Sequence, residues 1–240
     1  MIQKTFLAIA FLTISFASAQ GASWDSNTLS DSRTMDAFAK LTNKVTKKSL
    51  DNKNIKGSPY YNEKFSIAEV DYFGKTLEDK TFLRYNAFSD ELEMGTYPEQ
   101  KTTEQILLKN NKIVSNFGGE KFMYLPFKTK EGFTKVGYLV VLHESEKYSL
   151  YIKRTKVFME ATVARTSLER AFPARFVENT DYYYNYEGNT LQYLKTNKSG
   201  LNDTFKAHSD YLKKYLNENK LRYKDQSSLT KLFKTINSLL

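Results

Sequence analysis

The sequence predicts an α+β protein, mainly β: an antiparallel meander, barrel-like or half-barrel, with a C-terminal helical hairpin and a short N-terminal helix. Short runs of strand-forming residues separated by turn residues recur from residue 57 to residue 195. This punctuation is typical of antiparallel sheets and not of βαβ units. After residue 196 the apolar residues change to helical spacing. The 240 residues include no Cys, so we expect the fold to depend on packing alone.

The first nineteen residues predict a cleavable secretory signal peptide. Lys4 supplies the positive charge, residues 5–16 are apolar apart from Thr and Ser, and Ala17-Ser18-Ala19 supplies the small side chains that signal peptidase needs. The apolar run is too short for a membrane span of about twenty residues. Later stretches are less apolar still, so we expect no transmembrane span after cleavage.

A polar leader is predicted over residues 20–56. Within it, residues 35–48 predict a short helix with Met35, Phe38, Leu41 or Thr42, and Val45 on one side. The leader ends in residues that are typical of loops, and a turn at Gly57-Ser58-Pro59 follows them.

The β domain is predicted over residues 57–195. Turn residues separate its strands, with Ser89-Asp90 as a tight hairpin turn and Gly188 as the centre of a final hairpin. The predicted strands are 65–73, 81–88, 91–95, 104–109, 112–117, 121–127, 135–143, 147–159, 175–187 and 189–195. One or two helical turns are expected within residues 162–172, before Pro173.

Residues 196–240 predict a helical extension packed on the β domain. Asn202 or Asp203 is the expected cap of the first helix, and Asp225 that of the second. The apolar stripes are Phe205, His208, Leu212, Tyr215 and Leu216 in the first helix and Leu229, Leu232, Phe233, Ile236, Leu239 and Leu240 in the second.

The formal net charge of +9 raises the question of an anionic partner. Richness in Lys, Asn, Tyr and Phe together is what an AT-rich genome encodes, and export makes nucleic acid an unexpected partner. Residues 195–240 nevertheless hold ten Lys or Arg against four Asp or Glu. Attachment of this basic tail to an anionic surface therefore stays open.

Recognised catalytic patterns are absent from the sequence. It has no H-E-x-x-H, G-x-S-x-G, Walker loop or G-x-G-x-x-G. The two histidines, His143 and His208, have no second His or carboxylate at metal spacing. We therefore assign no catalytic residue, no metal ligand and no cofactor.

Seven residues are candidates for ligand binding: Arg84, Tyr85, Glu91, Glu93, Tyr182, Tyr184 and Tyr186. Glu91 and Glu93 share a strand face and, with Arg84 on the preceding strand, form either an acid/base pair, an ion-pair ladder or a solvated face. The tyrosines at 182, 184 and 186 alternate on one strand face. They either stack a sugar or an apolar ligand, or pack across the sheet with no ligand.

Two segments resemble secreted, uncharacterised proteins of Bacteroidota. They are Gly57-Ser58-Pro59-Tyr60 and the hairpin over residues 83–93, L-R-Y-N-A-F-S-D-E-L-E; the tail over residues 212–221 is similar to the C-terminal ends of those proteins. The resemblance spans roughly residues 50–240. It implies an envelope or secreted location in a Gram-negative cell and implies no activity.

The expected function is that of an exported cell-envelope protein that binds a protein partner, a glycan or an apolar ligand without catalysis. The location stays open between the periplasm, the outer membrane and the medium. One alternative is a carbohydrate-active hydrolase that uses acids such as Asp90 or Glu91.

Overall fold

The structure is a computed structural model, and it describes residues 42–44, 55–77, 80–103, 105–164, 166, 168 and 170–240. The predicted signal peptide and most of the predicted leader lie outside these residues. The described chain is mainly β, with a helical segment at its C-terminal end. The α+β, mainly β, class is thereby confirmed.

Twelve strands, numbered here in chain order, form one sheet in which every ladder is antiparallel. They are β1 Thr42–Lys44, β2 Ser66–Tyr72, β3 Lys75–Thr76, β4 Thr81–Asn86, β5 Glu91–Gly95, β6 Gln105–Leu107, β7 Ile113–Phe117, β8 Glu120–Lys128, β9 Thr134–His143, β10 Tyr148–Met159, β11 Arg175–Tyr186 and β12 Gln192–Leu194.

The strand order is β1-β6-β5-β4-β2-β7-β8-β9-β10-β11-β12, with β3 paired to β2. The sheet is therefore two meanders on either side of β2, because β2 pairs with both β4 and β7. A simple meander would pair only strands that follow one another. The sheet is also open and not a closed barrel.

The second half of the sheet curls strongly. Leu191, just before β12, forms a parallel bridge with Phe127 of β8, and the amide of Lys128 donates to the Leu191 carbonyl at 2.8 Å. Inside the curl lies a small apolar cluster formed by Phe127, Leu139, Tyr151, Tyr183 and Leu191. We call the open end of this curl beside Asp90 the mouth.

Three α-helices follow the sheet: α1 Lys198–Thr204, α2 Ser209–Glu218 and α3 Gln226–Asn237, with a 3₁₀ turn at Lys206–His208 between the first two. Their apolar sides join the larger core with the opposite sheet face. Asp225 caps α3 as predicted, because its side chain accepts from the Ser228 amide at 2.8 Å. Of the predicted α3 stripe, Leu239 and Leu240 are exposed.

Arg154 of β10 ties α3 to the sheet. Its guanidinium binds the Glu120 carboxylate through two bonds of 2.8 and 2.6 Å and donates to Gln226 of α3 at 3.2 Å. The same group lies 4.0 Å from the ring centre of Tyr61. Arg154 is buried, so this bidentate pair keeps its charge compensated.

Three predicted local structures were wrong. Residues 42–44 of the predicted N-terminal helix form β1, which pairs with β6; the other residues of 35–48 lie outside the described part of the chain. Thr and Asn are poor helix formers, and ladder bonds satisfy their backbone groups. In place of a helical turn before Pro173, Thr162 and Phe172 form an antiparallel bridge.

The first C-terminal helix also begins earlier than predicted. Asn197 has an extended backbone, and its side chain accepts from the Gly200 amide at 2.8 Å, so the helix begins at Lys198 and not after Asn202 or Asp203. A β-carbon on Gly200 would overlap the Lys195 carbonyl. Only glycine therefore permits this close approach of the helix to the residue that follows β12.

Candidate functional site

Asp90 lies at the turn between β4 and β5 and points its carboxylate toward the mouth. Its backbone is left-handed, with φ at 56°, a conformation that Asp tolerates better than most residues. The carboxylate accepts from the Lys153 ammonium at 2.5 Å, from the Tyr85 hydroxyl at 2.7 Å and from the Tyr138 amide at 3.3 Å. Three elements, β4, β9 and β10, thus hold one carboxylate.

Lys153 is the buried lysine of the described residues, with 7% of its surface exposed. Its ammonium also lies 3.3 Å from the Tyr85 hydroxyl. Burial lowers the pKa of Lys153, and Lys109 adds to this effect, while Asp90 opposes it. The result is an amine held at a fixed position beside a carboxylate and a phenol.

Gly137 of β9 leaves the space that this pair occupies. A β-carbon there would lie 2.5 Å from Asp90 Oδ2 and 2.9 Å from Lys153 Nζ. Glycine within a strand often marks such a close approach.

The mouth is a cleft of about 410 Å³ above this ion pair. Its lining combines aromatic rings with charged groups, and these come from strands β8 to β12, from the β8–β9 turn and from the turn that carries Asp90. The lining residues used below are Asp90, Phe127, Lys130, Glu131, Lys135, Lys153, Asp181, Tyr183 and Tyr193. Aromatic walls with a few fixed polar groups are typical of small-ligand sites, and the mouths of curled sheets are a common place for them.

A second carboxyl group of the mouth, that of Asp181, has a raised pKa. Asp181 lies opposite Lys153 in the β10–β11 register. Burial raises the pKa of Asp181, with Lys130 opposing and Glu131 adding to the effect. Its strand neighbour on the same face, Tyr183, is buried against Phe127, and burial raises the pKa of the Tyr183 hydroxyl. The mouth therefore contains a carboxyl group whose pKa is raised by its surroundings.

Two of the predicted site residues, Arg84 and Glu93, form a separate buried cluster. They are directly paired across β4 and β5, and Arg84 Nη2 donates to Glu93 Oε2 at 2.6 Å. The guanidinium carbon lies 3.6 Å from the ring centre of Tyr60 and 4.2 Å from that of Phe65. Two aromatic rings thus lie close to the Arg84 guanidinium, and the geometry is that of an ion pair packed inside the protein.

The two other predicted site residues of this hairpin, Tyr85 and Glu91, lie in different surroundings. Tyr85 faces away from Arg84, as strand alternation predicts, and joins the large core while its hydroxyl reaches Asp90. Glu91 lies 3.8 Å from Lys109 on a half-buried surface. Glu91 and Glu93 therefore have different cationic partners.

The tyrosines predicted on β11 face the helical segment. Tyr182 is buried and its hydroxyl donates to the Lys224 carbonyl at 3.1 Å. Tyr184 and Tyr186 are half-buried against the large core and line a shallow cleft of about 570 Å³ with Lys206. Their alternate neighbours, Asp181 and Tyr183, face the mouth.

The two histidines have separate partners. His208 Nδ1 lies 3.0 Å from the Tyr148 hydroxyl, and His143 Nε2 lies 2.9 Å from the Asn237 side chain. Across the described residues, no three or more His, Asp or Glu side chains form a group that could hold a metal ion.

Sequence reasoning missed Lys153, Asp181 and Gly137. In a strand that alternates between apolar and polar residues, a lysine such as Lys153 looks like an ordinary surface residue. Asp90 likewise looks like an ordinary turn residue. Gly137 was the available signal, since a glycine within the predicted strand 135–143 suggests close approach. Only the curl of the sheet brings these three residues together.

Comparisons with known proteins give no family assignment. No protein-family model, curated protein or solved structure matches the chain. In the part of the chain that the structure describes, no helix combines the length and the apolar character that a membrane crossing requires.

Proposed function

We propose that the protein is an exported cell-envelope protein that binds a glycan or another small polyhydroxy ligand in the mouth without turning it over. The observation that carries the proposal is the mouth itself. Phe127, Tyr183 and Tyr193 supply apolar ring surface, and Asp181, Lys130 and Lys135 supply hydrogen-bonding groups at its edge. Sugar rings have apolar faces and hydroxyl edges, and this lining matches both.

The floor of the mouth supports binding because it is fixed in advance. The Asp90 carboxylate already has three donors, and Lys153 already has two acceptors. A site whose polar groups are held by the protein loses little freedom when the ligand arrives. The bonds around Asp90 also occupy the oxygens that a general base would offer to substrate.

Ligand binding is tested by thermal unfolding of the full chain against a panel of glycans, lipids and envelope extracts. A ligand at about a hundred times its Kd stabilises the folded state by about 2.7 kcal/mol. Tyr193→Ala should reduce the effect, because Tyr193 lines the mouth. Tyr184→Ala is the matched control, since Tyr184 is also half-buried but lies on the other sheet face.

Two outcomes would count against this function. Unfolding curves that no glycan shifts would remove the ligand class, and equal effects of Tyr193→Ala and Tyr184→Ala would remove the location. Export has its own test: protein recovered outside the cytoplasm should begin at Gln20, after Ala19. Recovery of the intact N-terminus only in the cytoplasm would contradict export.

A second candidate function, glycoside hydrolysis, is favoured by Asp181. A general acid must carry a proton before it reacts, and a raised pKa favours the protonated form. Asp90 and Glu131 line the same cleft and supply further carboxyl groups. If this function holds, Asp181→Asn abolishes hydrolysis on a polysaccharide panel. Glycan binding without any hydrolysis by the wild-type chain would exclude this function and leave the binding function intact.

A further inference from the structure

The geometry at Lys153 points to a chemical reactivity that goes beyond reversible binding. We propose that the Lys153 amine captures aldehydes as a covalent imine at the floor of the mouth. The inference depends on the position of the amine and not on the ligand being a glycan. Three features carry it: the access that the mouth gives to the amine, the acidic groups beside it and the space around it.

Access comes from the cleft. Lys153 is buried, yet it forms part of the lining of the mouth, so a small molecule that enters the cleft meets this residue. On one side the amine has apolar neighbours, because Tyr151 and Tyr183 lie on the same face of the sheet and belong to the small apolar cluster. An amine in apolar surroundings with an opening is the arrangement that favours the neutral, nucleophilic form.

Proton transfer is provided by Asp90 and Tyr85. Asp90 Oδ1 lies 2.5 Å and the Tyr85 hydroxyl 3.3 Å from Lys153 Nζ. The ammonium first gives a proton to Asp90, and the neutral nitrogen bonds to the carbonyl carbon while the carbonyl oxygen takes that proton. The nitrogen then loses a second proton, which leaves with the hydroxyl as water, and the nitrogen–carbon double bond forms.

The overall reaction is balanced without an oxidant or a reductant. One ammonium and one aldehyde give one protonated imine and one water. The product carries the same single positive charge as the original ammonium, so the Asp90 carboxylate has a cationic partner both before and after the reaction. Since loss of the cation would leave the half-buried Asp90 carboxylate without its ion-pair partner, this conservation of charge favours the product.

Space is provided by Gly137. A β-carbon at this position would lie 2.9 Å from Lys153 Nζ, so the glycine leaves the space in which the amine lies beside Asp90 at the floor of the mouth. The charged groups that act on this amine are Asp90 and, more weakly, Lys109, while Asp181 lies opposite it across the β10–β11 ladder.

The test is reductive trapping with glycolaldehyde and cyanoborohydride on the native wild-type chain at neutral pH, followed by peptide mapping. Lys130 and Lys135 are the internal controls, because both line the same mouth and are exposed. We expect hydroxyethyl labelling of Lys153 to exceed that of either control several-fold, and to equal theirs in denaturant. Native labelling of Lys153 no faster than that of Lys130 and Lys135 would overturn the proposal.

Two variants assign the label. Lys153→Arg should lose the fast labelling phase, and Lys130→Arg should retain it; loss in Lys130→Arg would contradict the assignment. The wild-type mapping decides the question even if Lys153→Arg does not fold. A chain that binds no glycan but labels selectively at Lys153 would retain this inference and remove the proposed ligand class.

Discussion

Gly137 and Asp90 approach each other so closely that a β-carbon on residue 137 would lie 2.5 Å from Asp90 Oδ2. Glycine in a strand interior is unfavourable by roughly 0.5–1 kcal/mol relative to Ala. This unfavourable residue is found where β9 passes the Asp90–Lys153 ion pair. The ion pair and the bare strand position therefore form one structural unit.

Gly137→Ala should consequently destabilise the protein, by about 1–3 kcal/mol, because the added methyl group overlaps the ion pair. Denaturant unfolding measures the free energy. In an Asp90→Gly background, which suits the left-handed backbone and removes the carboxylate, the same substitution should have a smaller effect. An equal loss in both backgrounds would show that the overlap with Asp90 is not the cause.

Asp90→Asn should destabilise the protein more than Lys153→Met. The first change leaves a buried ammonium without its carboxylate, a loss of about 3 kcal/mol. The second leaves a carboxylate that is partly exposed and keeps the Tyr85 and Tyr138 donors. The double variant should be more stable than Asp90→Asn alone, and the reverse ranking of the single variants in denaturant unfolding would contradict this account.

Arg84→Lys should destabilise the chain by about 2 kcal/mol, because a compact ammonium cannot contact the rings of Tyr60 and Phe65 as a planar guanidinium does while binding Glu93. Arg175→Lys is the control: Arg175 also lies over a ring, that of Phe172 at 5.1 Å, but is half-exposed. Its effect should stay within about 0.5 kcal/mol. Equal melting temperatures for the two variants would argue against a structural role for the Arg84 stack.

Asp181→Asn should raise the melting temperature at neutral pH. Burial raises the folded-state pKa of Asp181 above its unfolded value, so its stabilising contribution is present below the unfolded pKa and lost as pH rises through the folded pKa. At neutral pH the wild type therefore contains a desolvated charge that Asn removes. At about pH 3, where the carboxyl group is protonated in both states, the gain should vanish.

The exposed Glu69→Gln on β2 is the control for that charge change and should alter the melting temperature little at either pH. A gain from Asp181→Asn that persists at acid pH would show that charge burial is not its origin.

The fold class and most strands follow from local patterns. The strand boundaries around Asp90, the hairpin at Gly188 and the Asp225 cap depend on neighbouring residues alone, and sequence could predict them. The position of β2 between β4 and β7 could not be predicted, since alternation fixes the face of a strand and not its neighbour. For the same reason the site was missed. Lys153 and Asp90 are 63 residues apart, and only the curl of the sheet joins them.

Strand β10 separates two cations that follow each other in the chain. Lys153 binds Asp90 at the mouth, and Arg154 binds Glu120 beneath α3. Because the pleat alternates, a shift of β10 by one residue would turn each cation to the opposite face of the sheet, away from its own acid. A shift by two residues would restore the faces but move each cation about 7 Å along the strand. The register of β10 is therefore what the Asp90 ion pair and the anchorage of α3 have in common.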